Sequence, residues 1–434
     1  MMLSKRIVII GNGIAGFSAA AAIRRLSAGD EITMISAEAE SLYSPCVLPE
    51  YIAGRIRREN TYVNALGDYD RLGIKLLFGQ KVEQVEPASA RIRLEKGKNL
   101  SFDRLILAVG SRAIEIGNRM GGCFVVKSLA DADALIRHRG RKAVVVGSGA
   151  IGIEVAVALK TRGYDVEILE GLPRILPLAL DQKAAETVKK ILEKNGIRVA
   201  VQERARAVWG AENIEGLKTD RRERECDTVV WAIGMTPRVE LAREAGIKVG
   251  PQGGIEVGPY METNVEGFYA CGDCVETNDI VTAQPALNLF WHNAVRQGVV
   301  AGSNSIGCAG DYPGSENLLN LHVFGEQVVA FGRTVSGLKE NGVHGERIAI
   351  IEREEEKAYY RLVLQDRRCV GAQFVNPPKD AGLIWSLIRN GKRVDSVLNS
   401  FRAERALRSQ GWITRVRPFF HDKNLVEGEG GNNE

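Results

Sequence analysis

A strand that runs directly into a glycine-rich turn and then into a helix occurs twice in this chain, and no other feature restricts the fold as strongly. The first copy has the apolar segment Ile7–Ile10, glycines spaced G-x-G-x-x-G from Gly11 to Gly16, and a helix predicted over Phe17–Leu26. The second copy repeats the spacing from Gly147 to Gly152. Such a turn lets a pyrophosphate approach the backbone at a helix N-terminus. Two dinucleotide pockets are therefore predicted, and they suggest electrons passing between two cofactors.

Each copy is closed by a second apolar strand that ends in Ala-x-Gly. The segment Asp103–Ala108 leads to Gly110 in the first copy, and Asp227–Ala232 leads to Gly234 in the second. An internal duplication of this kind is harder to obtain by chance than a single motif. It predicts an α/β fold with two Rossmann-like dinucleotide-binding domains.

An acidic residue near the end of the second strand of such a domain holds a ribose hydroxyl. In the second copy that strand ends in Glu170, which would accept from an adenosine ribose and repel a 2′-phosphate. NADH is therefore favoured over NADPH, although Arg174 lies nearby and an arginine can partner a phosphate. In the first copy the strand ends in Ser36, and Glu38, two positions on, is assigned the ribose role.

Composition excludes several classes of protein. The 58 basic and 54 acidic residues are too evenly mixed for a nucleic-acid-binding or membrane-binding surface. Lys5 and Arg6 before the uncharged stretch Ile7–Ile23 imitate an export signal, but the fingerprint accounts for each glycine there, so we expect a cytoplasmic protein. Seven scattered cysteines, an odd number, argue for free thiols over a disulfide framework.

Four motifs in a fixed order carry a resemblance to a known family. They are the fingerprint at Gly11, the strand end Leu107-Ala-Val-Gly, the second fingerprint with Glu154, and the segment Tyr-Ala-Cys-Gly-Asp that ends at Asp273. Together they resemble the pyridine nucleotide-disulfide oxidoreductases over roughly residues 5–375. The resemblance implies FAD in the first copy, NAD(P)H in the second, and contact of Asp273 with the ribityl or pyrophosphate part of FAD.

The same resemblance implies which residues bind the two cofactors. With the two ribose acids included, they are Gly11, Gly13, Ala15, Gly16, Glu38, Ser44, Pro45, Val82, Ala108, Gly110, Arg112, Gly147, Gly149, Ile151, Gly152, Glu154, Glu170, Gly234, Gly272 and Asp273.

Beyond the two copies, the pattern changes to short strands without a glycine fingerprint from about Asn317, and this part is more suited to packing than to nucleotide binding. We expect an α+β C-terminal dimerisation domain there, because the resemblance assigns it a homodimer or a dimer of dimers. The tail after Val426 lacks large apolar residues and is predicted to be disordered. The expected limits are 1–113 with 251–316 for the FAD domain, 114–250 for the NAD(P)H domain, 317–425 for the C-terminal domain and 426–434 for the tail.

The patterns also predict individual elements outside the fingerprints. The predicted strands are Ile74–Phe78, Lys81–Val85, Arg91–Leu94, Val328–Phe331, Arg347–Ile351, Tyr359–Leu364 and Cys369–Val375, and the predicted helices are Ala150–Thr161, Gln284–Gly302 and Ala381–Asn390.

Cys46 is the candidate catalytic residue. The segment Tyr43–Pro49 is similar to that of the single-cysteine members of the family, which are coenzyme A-disulfide reductases, NADH oxidases and persulfide or polysulfide reductases. Position 51 is Tyr51, so no neighbouring cysteine is available for a local redox disulfide. Cys46 would act alone as a thiolate with a lowered pKa that attacks a substrate disulfide or persulfide. Its alternative interpretation is a small buried side chain packed against the flavin.

The sequence also departs from each group that it resembles. Leu42 stands where the coenzyme A-disulfide group has a serine, and Arg25 matches a coenzyme A phosphate contact whose companion glutamine is Ala22. Ile14 replaces the fingerprint histidine of water-forming oxidases. The segment Phe290–Gly298 is more similar to ferredoxin and rubredoxin reductases. The acceptor is thus a disulfide, persulfide or polysulfide, with oxygen or a small electron-transfer protein as alternatives.

Four further residues have two interpretations each. Cys271 and Cys274 form a C-x-x-C pair, but the Gly and Asp between them already serve the flavin site, so both are interpreted as structural. His292 is interpreted as a helix residue with satisfied hydrogen bonds, with a proton donor near the flavin as the alternative. Trp291 either stacks near the flavin or fills the core.

Overall fold

The computed structural model describes residues 4–117, 120–355, 358–378 and 381–391. The chain divides into two compact units. Unit 1 consists of Met1–Gly171 and Glu203–Glu316, and unit 2 consists of Leu172–Gln202 and Asn317–Glu434. The predicted disordered tail lies outside the described residues.

The described part of the chain forms the following elements, numbered along the sequence. The strands are β1 (Arg6–Ile10), β2 (Glu31–Ile35), β3 (Ile74–Leu77), β4 (Val82–Glu86), β5 (Arg91–Leu94), β6 (Asn99–Ser101), β7 (Arg104–Leu107), β8 (Ser111–Ala113), β9 (Cys123–Val125), β10 (Lys142–Val146), β11 (Asp165–Leu169), β12 (Ile197–Ala200), β13 (Ala205–Gly210), β14 (Ile214–Thr219), β15 (Glu223–Glu225), β16 (Thr228–Trp231), β17 (Met235–Pro237), β18 (Ile255–Glu256), β19 (Phe268–Ala270), β20 (Val275–Asn278), β21 (Pro285–Ala286), β22 (Leu318–Val323), β23 (Glu326–Gly332), β24 (Ile348–Glu354), β25 (Tyr359–Gln365) and β26 (Arg368–Val375). The helices are α1 (Ile14–Leu26), α2 (Leu48–Ile52), α3 (Leu66–Arg71), α4 (Leu129–Arg137), α5 (Ala150–Thr161), α6 (Gln182–Lys194), α7 (Glu240–Glu244), α8 (Trp291–Ser305), α9 (Val335–Glu340) and α10 (Ala381–Arg389).

The first sheet of unit 1 is parallel, with the strand order β19-β7-β1-β2-β3. Strand β1 lies between β2 and β7, so that Ile10 is opposite Ile35 on one side and Leu107 on the other. Four of its five residues are buried, as expected for a strand covered on both faces. Helix α1 packs against α8. The ends of β1, β2, β7 and β19 therefore open at one edge, where parallel sheets bind ligands.

The second parallel sheet repeats this arrangement in unit 1. Strand β10 lies between β11 and β16, and β9 pairs with β16. Val146 at the end of β10 is opposite Leu169 and Trp231, as Ile10 is opposite its partners in the first sheet. The antiparallel pair β8 and β17 joins Ser111 to Pro237. Two Rossmann-type sheets confirm the predicted α/β class.

Unit 2 contains an antiparallel sheet with the strand order β22-β23-β26-β25-β24. Helices α6 and α10 pack against this sheet. The N-terminal cap of α6 is the buried Asp181, whose carboxylate accepts from Gln373 Nε2 at 2.8 Å and pairs with Arg361 at 3.4 Å. The four strands and the helix predicted in this part of the sequence are present within two or three residues of their predicted ends.

One predicted helix begins later than expected. The pattern predicts a helix over 284–302, but α8 begins at Trp291 and continues to Ser305. The residues before it belong to a turn in which the Asp279 carboxylate accepts from Thr282 N at 2.9 Å and Asn288 Nδ2 at 3.0 Å. These hydrogen bonds and the pairing of β21 hold that segment extended. None of the helices in the described ranges is long and apolar enough to span a membrane.

Candidate active site

The first fingerprint forms a cradle whose three glycines meet three different requirements. Gly11 has φ +119°, and a Cβ there would lie 2.1 Å from the carbonyl oxygen of Ala108. A Cβ on Gly16 would lie 2.1 Å from the carbonyl oxygen of Gly11. A Cβ on Gly13 would meet nothing within 4 Å, because the turn is open on that side. The exposed N-terminus of α1 thus faces open space in which a pyrophosphate fits.

The second fingerprint repeats this geometry almost atom for atom. Gly147 has φ +102°, and its Cβ would lie 2.3 Å from the carbonyl oxygen of Ala232. A Cβ on Gly152 would lie 2.1 Å from the carbonyl oxygen of Gly147, and a Cβ on Gly149 would meet nothing within 4 Å. Both cradles fit a dinucleotide. The predicted duplication is therefore a structural one.

Asp273 lies at the carboxyl end of the first sheet, three residues after the end of β19. Its Oδ2 accepts from Ser111 Oγ at 3.0 Å and from Lys127 Nζ at 2.8 Å. Gly272 has φ +83° and donates its N–H to Gln297 Oε1 at 2.9 Å. Lys127 belongs to the segment between β9 and α4, so a residue near the second sheet contacts the aspartate at the end of the first sheet. Sequence reasoning missed Lys127, because nothing in its neighbourhood along the chain marks it as functional.

Cys46 lies in a single helical turn, Pro45–Val47, and is exposed. The pKa of its thiol is raised, chiefly by desolvation among the protein atoms at its base. A hydrogen bond from Ser44 opposes that increase in pKa, the negative charges of Glu154 and Asp273 add to it, and the Lys127 ammonium lowers it. The groups of the protein thus raise the pKa of the Cys46 thiol, and the expected lowered pKa is wrong. The charges that influence this thiol come from both dinucleotide-binding copies.

Glu154 follows the second fingerprint on α5 and is partly buried. Burial raises the pKa of its carboxyl to about 7, and the nearby charge of Glu50 adds to the effect. A carboxyl with such a pKa changes its charge near neutral pH, which is a property often found in functional sites.

The predicted ribose acid of the second copy is buried against the fingerprint turn. Glu170 Oε2 accepts from Ser148 N at 3.0 Å and from Ser148 Oγ at 2.5 Å. Arg174 donates from Nε to the Leu180 carbonyl at 2.7 Å and from Nη2 to the Pro177 carbonyl at 2.9 Å. Its guanidinium is therefore engaged by carbonyls of its own loop.

The predicted ribose acid of the first copy has a different environment. Glu38 is exposed, and its carboxylate accepts from Tyr43 Oη at 2.8 Å. The residue that matches Glu170 in the sheet register is Ser36, whose hydroxyl donates to the Glu38 carbonyl at 2.8 Å. The ribose role of Glu38 stays a prediction.

The remaining predicted site residues have the following positions. Ala15 and Ala108 are buried beside the first cradle, Val82 is buried in β4, and Gly110 and Gly234 have positive φ at the two strand ends. Arg112 is exposed and pairs with Glu240, Ile151 is exposed in the first turn of α5, and Arg25 is exposed in the last turn of α1.

The other candidate residues from the sequence are the cysteines of the C-x-x-C pair and His292. Cys271 and Cys274 are free and fully buried, and Cys274 Sγ lies 3.3 Å from the Cys271 carbonyl, in keeping with structural roles. His292 Nε2 lies 4.0 Å from a carboxylate oxygen of Glu316, and the interpretation of His292 as a satisfied helix residue stays a prediction, as does its alternative as a proton donor. Among the described residues, no group of His, Cys, Asp and Glu could hold a metal ion.

Two dinucleotide cradles, an aspartate at the end of the first sheet and an exposed thiol influenced by both copies define an FAD-dependent NAD(P)H oxidoreductase. The chain belongs to the pyridine nucleotide-disulphide oxidoreductase family, which matches residues 5–298. The predicted family, enzyme class and cofactors are thereby confirmed.

Three relatives indicate the range of activities among similar proteins. An NADH oxidase of Methanocaldococcus jannaschii is 38% identical over 316 residues, which cover 70% of each chain. A CoA-dependent NAD(P)H sulfur oxidoreductase of Pyrococcus furiosus is 30% identical over 373 residues, which cover 83% of each chain. The solved structure of an NAD-dependent persulfide reductase from A. fulgidus has a TM-score of 0.86 and 27% identity, covering 91% of this chain and 79% of that chain.

Proposed function

We propose that this enzyme takes hydride from NADH and delivers the electron pair through FAD and Cys46 to a disulfide, persulfide or polysulfide. The observation that carries the proposal is the position of Cys46. Its thiol is exposed, and the charges of Glu154 from the second copy and Asp273 from the first both act on its pKa. A thiol in that position is accessible to an external substrate and close to the groups predicted to hold both cofactors.

The chain's residues would hold the two cofactors as follows. The first cradle and Asp273 bind FAD, and the second cradle with Glu154 and Glu170 binds NADH. When bound, FAD supplies a carrier that accepts a hydride and passes on two electrons. The protein contributes orientation and a fixed set of charges around the thiol.

Cys46 would carry the sulfur chemistry. Its thiolate attacks one sulfur of the substrate S–S bond, that bond breaks, the other sulfur leaves as a thiolate, and a mixed disulfide with Cys46 forms. Two electrons that originate from NADH and one proton then release the second thiol and restore the Cys46 thiolate. Among the charged groups that act on this thiol, the Lys127 ammonium lowers its pKa and so favours the reactive thiolate.

A sulfur acceptor is supported by the names of two of the relatives above, which are a CoA-dependent sulfur oxidoreductase and a persulfide reductase. Arg25 is exposed in the last turn of α1, and its guanidinium is suited to a phosphate of a coenzyme A-linked substrate. Reduction of oxygen is the second candidate, because the 38% identical relative is an NADH oxidase.

The test is a Cys46→Ser variant, with Cys308→Ser as the matched control because Cys308 is also an exposed free cysteine. We expect Cys46→Ser to abolish NADH-driven turnover of coenzyme A disulfide and polysulfide while NADH still bleaches the flavin band. The control should retain both. Unchanged sulfur turnover in Cys46→Ser would exclude a catalytic thiol. Comparison of oxygen and small redox proteins such as rubredoxin and ferredoxin as acceptors would then identify the alternative.

We also propose the expected domain limits, 1–113 with 251–316, 114–250 and 317–425, and a homodimer built by the last of these. Size-exclusion chromatography with light scattering tests for the homodimer, and a monomer would refute that proposal.

A cytoplasmic location is supported by the seven cysteines, all of which are free thiols.

A further inference from the structure

Hydrogen bonds link Glu170 to the second fingerprint turn. Ser148 lies between the first two glycines of that turn. Its backbone N–H donates to Glu170 Oε2 at 3.0 Å, and its hydroxyl donates to the same oxygen at 2.5 Å. Ser148 is completely buried and Glu170 is 8% exposed. The carboxylate is therefore held beside the turn by two donors from a single residue.

The first copy shows that the fold does not require this link. Asn12 occupies the place of Ser148 between the first two glycines, and Ser36 occupies the place of Glu170. The Asn12 side chain accepts from Tyr69 Oη at 2.9 Å and donates to the Glu40 carbonyl at 3.2 Å. The turn in the first copy thus has the same backbone geometry without a carboxylate bound to it.

Two donors have a clear electrostatic consequence for a buried carboxylate. Removing a charged group from water is unfavourable unless hydrogen bonds compensate, and hydrogen bonds to a charged acceptor are stronger than neutral ones. The hydroxyl of Ser148 therefore holds the carboxylate of Glu170 in one position. A negative charge fixed there accepts from a ribose 2′-hydroxyl and repels a 2′-phosphate.

We propose that Ser148 is a positioning residue that holds Glu170 against the fingerprint turn and thereby sets the preference for NADH over NADPH. This inference rests on the nucleotide-binding part of the proposed function and not on the chemistry of Cys46. The two can therefore fail separately.

The experiment measures the dissociation constants of NAD⁺ and NADP⁺ for the FAD-loaded protein by calorimetry, since the oxidised nucleotides do not reduce the flavin. Ser148→Ala removes the hydroxyl and keeps the backbone donor. Because one hydrogen bond to a charged group is lost, we expect the discrimination against NADP⁺ to fall about tenfold. In Glu170→Gln the discrimination should also fall, and adding Ser148→Ala to it should change the ratio no further.

Several outcomes would overturn the proposal. One is an equal loss of affinity for both nucleotides, which a purely structural role would produce. Another is the same effect of Ser148→Ala in the Glu170→Gln background as in the wild type. Should Ser148→Ala fail to retain FAD, Ser148→Cys, which has similar size and only a weak donor, must show the reduced discrimination. A wild-type protein that binds neither nucleotide would instead refute the proposed function.

Discussion

Substitution of Glu154 by glutamine is expected to stabilise the protein at alkaline pH and to leave its stability unchanged at acid pH. Burial, aided by the charge of Glu50, raises the pKa of Glu154 to about 7 from an ordinary value of 4.5. The folded chain therefore binds the proton on this carboxyl more tightly than the unfolded chain does. Glutamine has nearly the same shape and stays neutral at every pH.

The size of the effect follows from the two pKa values. Each tenfold difference in proton affinity corresponds to about 1.4 kcal/mol, so keeping Glu154 charged in the folded chain costs up to about 3 kcal/mol. The stability given by the protonated form is fully present below pH 4.5 and is lost as the pH rises through about 7. Above that pH the full cost applies to the wild type and not to the variant.

Urea unfolding of the wild type and Glu154→Gln across this pH range measures the difference. We expect the variant to be more stable by up to about 3 kcal/mol at alkaline pH and equal to the wild type near pH 4.5. Glu50→Gln is the matched control, because it removes only the neighbouring charge and should move the pH midpoint of the wild-type curve downward. A stability difference that is the same at both ends of the range would refute the burial argument.

Three further predictions concern charge and packing in unit 1. Lys127→Met should raise the pKa of the Cys46 thiol and slow its alkylation by iodoacetamide near neutral pH, whereas Lys127→Arg should retain the rate of alkylation. Equal rates in the wild type and both variants would contradict the assigned charge effect. Gly152→Ala should lower the free energy of unfolding by about 1–3 kcal/mol because its Cβ meets a carbonyl 2.1 Å away. The control Gly149→Ala, which meets nothing within 4 Å, should retain stability and lose affinity for NAD⁺ in calorimetry; equal stability of the two variants would count against the steric reason. The partner Arg224 lowers the pKa of Glu203 to about 2, so the charged carboxylate stabilises the fold above pH 4.5 and this contribution is lost as the pH falls toward 2. In unfolding curves measured at several pH values, Glu203→Gln should therefore have a free energy of unfolding about 2–3 kcal/mol lower than the wild type at neutral pH, and little different near pH 2.

The sequence by itself determined the two cradles. A glycine with positive φ, or one whose Cβ would overlap a carbonyl, is required by the local path of the backbone. Glycine must therefore stand at these positions wherever the turn occurs, so the glycine spacing that begins at Gly11 and at Gly147 predicted both cradles and the α/β class. The helix Ala150–Thr161 was predicted to the residue for the same reason, since Gly149 forms its N-terminal cap.

Only the tertiary structure decided the electrostatics of the candidate site. The thiol of Cys46 responds to Lys127, Glu154 and Asp273, which are far apart in the sequence and meet only because two parallel sheets bring their loops together. The raised pKa of the thiol could not be predicted, because desolvation depends on atoms from several segments. The same reason applies to the link between Ser148 and Glu170, since a hydrogen bond across 22 positions depends on side-chain geometry that spacing does not specify.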